Sequence, residues 1–539
     1  MIYFALRDHN WNTVDAVIRD EQITEKEEGF SVLYRRLEVA GPDVVMTWRV
    51  SIEGHRDGTI VFGIDGEVHK EFKRNRAGFC ILHPPGVAGT ECTILHGDGS
   101  RSVIKFPEHI APDDPFKHIK EMVWSIGGYS FALAFEGDLF ETEDQRNWGD
   151  ASYKTFCTPL DRPFPVTLQP GEKITQRIHF RPRVSLPALV RSDEPVTLMP
   201  TSLPRVVPAL GLAASTESGE MSEAVVAQLR TARFNHYRIE VTPSSDTWVR
   251  QMSQDCENAA RLGMPLEVAL HLSENEDEEI EAFLLLCEQN GVRPQRVVVL
   301  SKGALVTREN ALDGIQRLRN GLRNARIGAG TDYNFTEINR NRFDARRADF
   351  ISFSFSPQEH ASDDLTLLEN AETPSYMIAS ARHAFGREIP VQVSPVVLKR
   401  RFNPYAGDPI DWDVPRDRQI DDRLATDFAA CWTFATLCSL IRGGASSITL
   451  FQTWGELGII SPEGELRPVF HTLKRFAQYQ GRGVTILESS DPLAVQAIVL
   501  DEKTLGVVNL SDARKTIVWQ GKSFLLEPRS ERYEALDRS

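Results

Sequence analysis

Short apolar runs alternate with amphipathic segments over nearly half of this chain, and this alternation limits the possible folds more than any other feature. Eight apolar runs end in polar residues: Pro208–Ser215, His236–Val241, Pro265–His271, Arg296–Ser301, Arg326–Gly330, Asp349–Ser354, Pro390–Pro395 and Ser446–Phe451. Segments with helical periodicity lie between them: Met221–Thr231, Ser245–Leu262, Asp277–Asn290, Arg308–Asn324, Asp364–Phe385 and Arg423–Arg442. Strand alternating with helix predicts parallel β-α units. About eight such units in roughly 240 residues predict a closed (β/α)8 TIM barrel, in which chemistry occurs at the carboxyl ends of the strands.

The sequence on either side of this region predicts β structure. Residues 1–183 contain short alternating runs separated by Gly, Pro, Asp and Asn, which predict an N-terminal β-sandwich. Residues 184–207 are rich in proline and predict an extended connector without sheet pairing. The barrel is expected over residues 208–482, where its last helix begins at Pro468 and ends before Gly481. Residues 483–539 predict a small C-terminal β-domain. The expected fold class is therefore multidomain, with all-β regions flanking an α/β barrel.

Composition and charge narrow the classes of partner. A chain of 539 residues is too long for one core. Its formal charge of −15 opposes binding to nucleic acid or to an anionic membrane, and favours a small-molecule substrate. The first residues lack a signal-peptide pattern, no apolar stretch is long enough to span a membrane, and the seven cysteines show no repeating spacing. We expect a cytoplasmic protein, while the oligomeric state stays open.

Polar residues that follow the predicted strands form the candidate site. A hydrolase needs a base that activates water and donors that stabilise an oxyanion. Glu337, His360, Asp332 and Glu240 are the candidates for the catalytic groups, and Glu337 is the favoured base. The candidates for substrate contact near the barrel are His271, Lys302, Asn334, Asn339, Arg340, Gln358, Gln452 and Trp454. Each of these residues could instead have only a structural role, but we expect Glu240, His271, Asp332, Glu337 and His360 to converge on one pocket.

A dense polar stretch in the N-terminal region, Phe135–Phe156, supplies further candidates. Asp144, Arg146, Asn147 and Trp148 could contact sugar hydroxyl groups and a sugar ring face. A surface turn with local salt bridges is an equally good explanation. No metal or cofactor is predicted, because the sequence contains no HExxH, no CxxC and no phosphate-binding glycine motif.

The large clan of retaining barrel glycosidases offers a comparison for the strand ends. Those enzymes use two carboxylates, which follow the fourth and seventh strands. Here the fourth strand ends in Ser301 and Lys302, and the seventh ends in Ser394. The end of the barrel, with GASSITLFQTWGELG and the proline-started helix, still looks like that clan. The scaffold therefore resembles a sugar hydrolase that lacks the usual pair of carboxylates.

Several stretches together resemble the D-apionate lactonase family. They are Met1–Val17, Phe79–Pro84, Glu141–Leu160, Gly328–Arg340 and Pro357–Ala361, and EDQRNWGDASYKT is the most specific part. The resemblance covers nearly the whole chain. It implies a β-domain, a barrel and a second β-domain, and the opening of D-apionolactone to D-apionate in bacterial apiose catabolism. Family members usually begin with further residues before the strand that matches Met1–Leu6, so the start of this chain departs from the pattern. The resemblance assigns no catalytic residue.

Three functions remain open at this point. The favoured function is a sugar-acid lactonase, that is, a carboxylic ester hydrolase. The alternatives are a glycoside hydrolase with relocated carboxylates and a non-catalytic carbohydrate-binding relative.

Overall fold

The computed structural model describes residues 1–184, 194–201, 204–405 and 412–535. The chain divides into two compact units. Unit 1 comprises Met1–Gln145 and Ser152–Ser192, and unit 2 comprises Arg146–Ala151 and Asp193–Ser539. In the described ranges, no helix is long and apolar enough to cross a membrane.

Unit 1 is an antiparallel β structure. Its strands are β1 (Ile2–Asp8), β2 (Asp15–Lys26), β3 (Gly29–Ala40), β4 (Asp43–His55), β5 (Ile60–Val68), β6 (Phe72–His83), β7 (Glu91–His96), β8 (Arg101–Lys105), β9 (Phe116–Ile126), β10 (Tyr129–Glu136), β11 (Phe140–Asp144), β12 (Tyr153–Phe156), β13 (Val166–Leu168) and β14 (Lys173–Pro182). They form one 14-stranded hydrogen-bonded sheet. Its strands enclose a core that includes the fully buried side chains of Trp48, Phe106, Phe116 and Phe140. The prediction of an all-β N-terminal region is confirmed.

Unit 2 contains the barrel and a second sheet. Its strands are β15 (Val196–Pro200), β16 (Arg205–Val206), β17 (Ala209–Ala213), β18 (His236–Val241), β19 (Leu266–Leu272), β20 (Arg296–Ser301), β21 (Arg326–Gly330), β22 (Ile351–Phe355), β23 (Val391–Val396), β24 (Ser447–Trp454), β25 (Gly458–Ile460), β26 (Gly483–Ser489), β27 (Val495–Leu500), β28 (Thr504–Asn509), β29 (Lys515–Trp519), β30 (Lys522–Leu526) and β31 (Ser530–Ala535). Strands β17 to β24 pair in parallel in chain order, and β17 also pairs with β24. This pairing closes the predicted eight-stranded barrel.

Ten helices accompany these strands in the described ranges of unit 2. They are α1 (Glu223–Arg230), α2 (Trp248–Leu262), α3 (Glu276–Gln289), α4 (Glu309–Gly321), α5 (Phe335–Arg340), α6 (Asp364–Asn370), α7 (Thr373–Phe385), α8 (Arg416–Gln419), α9 (Asp427–Gly443) and α10 (Pro468–Ala477). The single helical segment predicted over Asp364–Phe385 is thus two helices. The second one begins beside Pro374, which lacks the N–H that a continuous helix would need there.

The second sheet of unit 2 corrects one prediction. Strands β26 to β31 form one sheet together with β15 and β16, which lie in the proline-rich stretch that we expected to stay unpaired. Strand β15 can lie between β26 and β29 because its prolines lie at its margins. Pro195 precedes the strand and Pro200 is its last residue, so Val196–Met199 keep the N–H groups that sheet pairing needs. Residues 185–193 and 202–203 of the expected connector lie outside the described residues. The limits of the connector and of the C-terminal β-domain remain predictions.

Candidate active site at the carboxyl ends of the barrel strands

A pocket of about 220 Å³ opens among the carboxyl ends of the barrel strands. Its wall combines apolar side chains with charged ones. The charged residues are Arg238, Glu240, Lys399, Arg401, Asp413 and Asp421. Its mixed lining, apolar with a few charged groups, suits a small polar molecule.

The guanidinium of Arg238 is the buried centre of this wall. Arg238 is 1% exposed and ends near the floor of the pocket. Its Nη2 donates to Asp332 Oδ1 at 2.7 Å, its Nε donates to Glu240 Oε1 at 3.1 Å, and its Nη1 donates to Ser394 Oγ at 2.8 Å. The cation thereby ties together the ends of β18 and β23 and the residues after β21.

Arg401 and His271 complete the same cluster. Arg401 Nη2 donates to Glu240 Oε1 at 2.9 Å, and its Nη1 lies 3.2 Å from both carboxylate oxygens of Asp332. His271 Nε2 lies 2.6 Å from Glu240 Oε2 and 3.8 Å from Asp332 Oδ2. Two carboxylates, two guanidiniums and an imidazole therefore form one connected set.

The charges of this set fix the protonation of its central carboxylate. Burial raises the pKa of Glu240, but Arg238, Arg401 and His271 together outweigh burial and hold it well below its ordinary value. Burial likewise opposes the charge of Arg238, yet Glu240 and Asp332 raise its pKa above the ordinary value. Glu240 is consequently a carboxylate, and Arg238 a cation, at every pH at which the protein is expected to work.

A second buried layer holds Arg238 from below. Ser394 Oγ, which accepts from Arg238, lies 3.1 Å from Glu267 Oε1 and 2.7 Å from Thr449 Oγ1. Arg296 Nε donates to Glu267 Oε2 at 2.9 Å. Although burial raises the pKa of Glu267, His236 and the neighbouring arginines lower it to about 2. This ionised carboxylate inside the barrel helps to fix the position of the guanidinium above it.

Glu240, His271 and Asp332 could also be considered as metal ligands. Their ligand atoms all lie within 4.8 Å of one another, and a carboxylate–imidazole set suits a divalent cation. However, Arg238 and Arg401 already donate to oxygens of both carboxylates. An entering cation would have to compete with two guanidiniums, so the charge balance favours the arginines as the counter-charges.

Glu337 makes its contacts in a second cluster. Its side chain on α5 is fully buried, and its Oε2 accepts from the hydroxyl of Tyr405 at 2.9 Å. Burial raises the pKa of Glu337 to about 8, against the opposing effects of Tyr405 and Arg340. The Trp148 ring lies 5.1 Å from the Tyr405 ring, and the Arg340 guanidinium lies 5.4 Å from the Trp148 ring.

Residues 146–151 supply the rest of this second cluster. Asp150 Oδ2 lies 2.6 Å from His360 Nδ1, and Asn339 Nδ2 donates to Asn147 Oδ1 at 2.8 Å. Arg146 is fully buried, with its guanidinium 5.2 Å from the ring of Tyr376. Arg146 and Asn147 thus contact other protein groups rather than solvent, and a role for them in substrate binding remains a prediction.

The other predicted residues occupy varied positions. Gln452 lines the pocket and accepts from the backbone N–H of Thr216, whereas Gln358 donates to Asp421 and to the carbonyl of Leu398. Lys302 is exposed, Asn334 precedes α5, and the carbonyl of Trp454 accepts from Ser215. Asp144 belongs to unit 1, where it accepts from the N–H of Ala111.

The structure therefore divides the residues that we expected to converge. Glu240, His271 and Asp332 share one set of contacts at the pocket. Glu337 and His360 belong to the second cluster instead, because Glu337 on α5 contacts Tyr405 and His360, in the loop after β22, contacts Asp150. A single site built from all five residues is thus not what the contacts show.

Arg401 and Tyr405 are among the residues of these clusters that were missed from the sequence. Arg401 and Tyr405 follow β23, in the run LKRRFNPY. Three consecutive basic residues after a barrel strand were a usable signal for Arg401. No comparable signal identified Tyr405, whose contact with Glu337 joins residues that are 68 positions apart.

Comparisons with known proteins identify family models and a relative that match most of this chain. Residues 1–184 match the family model described as D-apionate lactonase, N-terminal domain, and residues 210–481 match the one described as D-apionate lactonase, TIM barrel domain. A D-apionate lactonase of Brucella anthropi is 28% identical over 561 aligned residues, which cover 98% of this chain and 90% of the relative. A GH30 endoxylanase from Clostridium papyrosolvens C71 has a TM-score of 0.41 and 13% identity, covering 63% of this chain and 98% of its own. A glucosidase from Croceicoccus marinus has a TM-score of 0.37 and 11% identity, covering 62% of this chain and 82% of its own.

Proposed function

We propose that this chain, which belongs to the D-apionate lactonase family, opens D-apionolactone to D-apionate at the pocket of its barrel. Family membership makes the protein a hydrolase of lactone esters. The specific lactone and the residues that act on it are our proposals. The observation that supports them most directly is the cluster of Arg238, Glu240, His271, Asp332 and Arg401 at this pocket.

The cluster contains the two kinds of group that lactone hydrolysis needs. A lactone carbonyl is attacked by water once a base removes a proton, and the oxyanion that forms must be stabilised. His271 is the candidate base, because its side chain is 17% exposed and its Nε2 is held against Glu240. Arg401 is the candidate oxyanion donor, because it lines the pocket and its side chain keeps 20% of its surface exposed.

The proposed reaction proceeds in two steps. In the first, His271 takes a proton from water while the water oxygen bonds to the lactone carbonyl carbon, and Arg401 stabilises the resulting oxyanion. In the second, the carbonyl re-forms, the bond to the ring oxygen breaks, and protonated His271 returns a proton to that oxygen. Glu240 stabilises the imidazolium between the two steps. The product is the open-chain sugar acid, as its carboxylate.

Glu337 remains the competing candidate for the base. A carboxyl with a pKa of about 8 is a strong base when it loses its proton, but it is mainly protonated at pH 7. Neither candidate base lines the pocket itself, but His271 contacts Glu240 on the pocket wall, whereas Glu337 is fully buried against Tyr405. We therefore favour His271, and the sequence-based preference for Glu337 becomes the alternative to be tested.

A panel of aldonolactones, scored by acid release, tests the function and the base together. We expect D-apionolactone to be the preferred substrate and His271→Gln to lower turnover by at least about 10²-fold, the lower range for a general base. His471→Gln, an exposed histidine on α10, is the matched control and should keep full activity. Normal turnover in folded His271→Gln would remove His271 from the mechanism, and no hydrolysis of any lactone by the wild type would contradict the function.

Nitrophenyl glycosides test the glycosidase alternative. We expect no measurable nitrophenol release, because neither Ser301, Lys302 nor Ser394 is a carboxylic acid. Nitrophenol leaves with little help from an acid, so these substrates would reveal even a weak glycosidase. Glycoside turnover that a barrel carboxylate variant abolishes, with lactones left intact, would contradict the lactonase proposal.

We also propose a cytoplasmic location, since all seven cysteines are free thiols.

A further inference from the structure

Three arginines lie close together on the β1–β6 pair in unit 1. Arg7 and Arg76 lie directly opposite each other in the antiparallel register, so their side chains project to the same side of the sheet. The register shifts at the next pair, where Arg74 lies opposite Asp8. Arg74 is near enough to Arg76 for its positive charge to lower the pKa of Arg76. The chain thus brings three guanidinium side chains into one neighbourhood in a protein whose net charge is −15.

These cations lack counter-charges. Among the described residues, no carboxylate forms an ion pair with Arg7, Arg74 or Arg76. Arg76 is only 5% exposed, and its Nε and Nη2 have no hydrogen-bond partner in the described part of the chain. Its Nη1 donates to the carbonyl of Asn75 at 2.6 Å, and the Nε of Arg74 is likewise buried without a partner.

Acidic groups act on these arginines only without direct pairing. Asp138 and Glu172 attract Arg74, and Glu141 and Asp138 attract Arg76, at longer range. Burial lowers the pKa of both guanidiniums, as expected for desolvated cations. Burial, with help from Asp114, also raises the pKa of Glu141 to about 7, so Glu141 itself is only partly charged near neutral pH. A buried cation without a partner is costly, and an anion bound there would relieve that cost.

Two aromatic rings cover the unpaired guanidinium. Trp11 and Phe164 are 37% and 43% exposed, and their ring centroids lie 5.3 Å and 4.7 Å from the Arg76 guanidinium carbon. The two rings meet edge to face at 5.3 Å. Arg7 donates to the carbonyl of Trp11 at 3.2 Å, which fixes the turn that carries this ring. Exposed aromatic rings beside a donor cluster are typical of sites that bind sugars.

We propose that Arg7, Arg74 and Arg76, together with Trp11 and Phe164, form a binding site for a sugar-acid anion. The carboxylate accepts hydrogen bonds from the unpaired N–H groups of Arg76, and the carbon chain of the polyol packs against the rings. The planar fork of a guanidinium matches a carboxylate in this way. The choice of a sugar acid rests on the proposed function, whose product belongs to this class. An anion that reaches Arg76 has to displace a covering ring, so its binding changes the surroundings of Trp11.

Isothermal titration calorimetry and tryptophan fluorescence on the full-length protein test this site. The probes are gluconate, inorganic phosphate and neutral glucose. We expect gluconate to bind and glucose not to bind, and Arg76→Gln to weaken gluconate binding by about tenfold or more, the usual effect of losing charge-assisted hydrogen bonds. Arg35→Gln, which removes an exposed arginine of the same unit that pairs with Asp20, should change nothing. Trp11→Phe should abolish most of the fluorescence change while calorimetric binding remains.

The barrel variant His271→Gln separates this proposal from the proposed function. Gluconate binding that survives in His271→Gln and fails in Arg76→Gln supports the site in unit 1, whether or not the wild type hydrolyses lactones. Binding that fails in His271→Gln and survives in Arg76→Gln places the anion in the barrel and overturns the proposal. Phosphate binding that equals gluconate binding overturns the preference for a sugar acid. If Arg76→Gln does not fold, Arg74→Gln replaces it, and unchanged gluconate affinity in that variant also overturns the proposal.

Discussion

Replacing Glu337 with glutamine should stabilise the protein at alkaline pH and change little in acid. Glutamine keeps the shape of the side chain and can still accept from Tyr405, which donates to Glu337 at 2.9 Å. It removes the group whose burial raises its pKa from 4.5 to about 8. In the unfolded chain that carboxyl ionises near its ordinary pKa of 4.5. As the pH rises from about 4.5 to about 8, the unfolded state releases its proton first and gains stability relative to the folded state.

The size of the effect follows from the shift in pKa. Raising the pKa from 4.5 to about 8 corresponds to about 5 kcal/mol of lost stability at pH 8 and above, because a tenfold change in proton affinity is worth about 1.36 kcal/mol. At pH 5 the loss is under about 1 kcal/mol by the same relation. Unit 2 has about 350 residues, for which 1 kcal/mol corresponds to about 1.4 °C in melting temperature. Glu337→Gln should therefore melt about 6 °C above the wild type at pH 8.5 and within about 1 °C of it at pH 5.

Thermal unfolding of both proteins at pH 5, 7 and 8.5 measures this difference. Glu281→Gln, an exposed carboxylate on α3, is the matched control and should show no pH-dependent gain. A difference between Glu337→Gln and the wild type that is the same at every pH would refute the reasoning, because it would mean that Glu337 titrates alike in both states. Turnover of the same variant decides its chemical role. A loss of about 10²-fold or more in a folded protein would assign the base to Glu337 instead of His271.

Two further predictions concern the arginines of unit 2. Arg401→Gln should lower kcat/KM for the lactone by about 10²-fold, because one oxyanion donor is lost, while the circular dichroism spectrum stays unchanged. An unchanged kcat/KM would mean that Arg401 only positions Glu240. Arg146→Ala should lower the free energy of unfolding, measured by denaturant titration, by about 2 kcal/mol or more, because it removes a fully buried cation stacked on Tyr376. A raised KM in a variant of normal stability would instead support the sequence-based prediction that Arg146 binds substrate.

The barrel could be predicted from the sequence because its strands are buried on both faces. Each residue of Arg296–Ser301 and of Val391–Val396 is buried, so the apolar runs are continuous and easily recognised. Strand β2 shows the opposite case. All twelve of its residues are exposed, so no hydrophobic periodicity marks it, and only its pairing with β3 makes it a strand. Strand β15 was hidden for another reason, since its prolines lie at its margins, where they remove no hydrogen bond from the ladder.

The site could be predicted only where a strand end fixes the direction of a side chain. Glu240 and His271 lie within β18 and β19, and Asp332 lies two residues beyond β21, so barrel geometry alone brings them together. Glu337 lies five residues farther along, after the chain has turned into α5. Arg401 reaches Glu240 from the loop after β23. Loop conformation does not follow from periodicity, so the separation of Glu337 could not be inferred. The three basic residues after β23 could mark Arg401 as a candidate, but not its contact with Glu240.

The protonation states of the barrel mouth explain why the scaffold suits an ester better than a glycoside. Cleavage of a glycosidic bond needs a carboxylic acid that still carries its proton and can give it to the leaving oxygen. At the pocket, Glu240 and Asp332 are each paired with Arg238 and Arg401, and the pKa of Glu240 is held well below its ordinary value. Glu337 does hold a proton at neutral pH, but it is buried beneath Tyr405 and does not line the pocket. A lactone needs no such acid at the start of the reaction, because water adds to its carbonyl, and in our proposal the guanidinium of Arg401 stabilises the negative charge that develops.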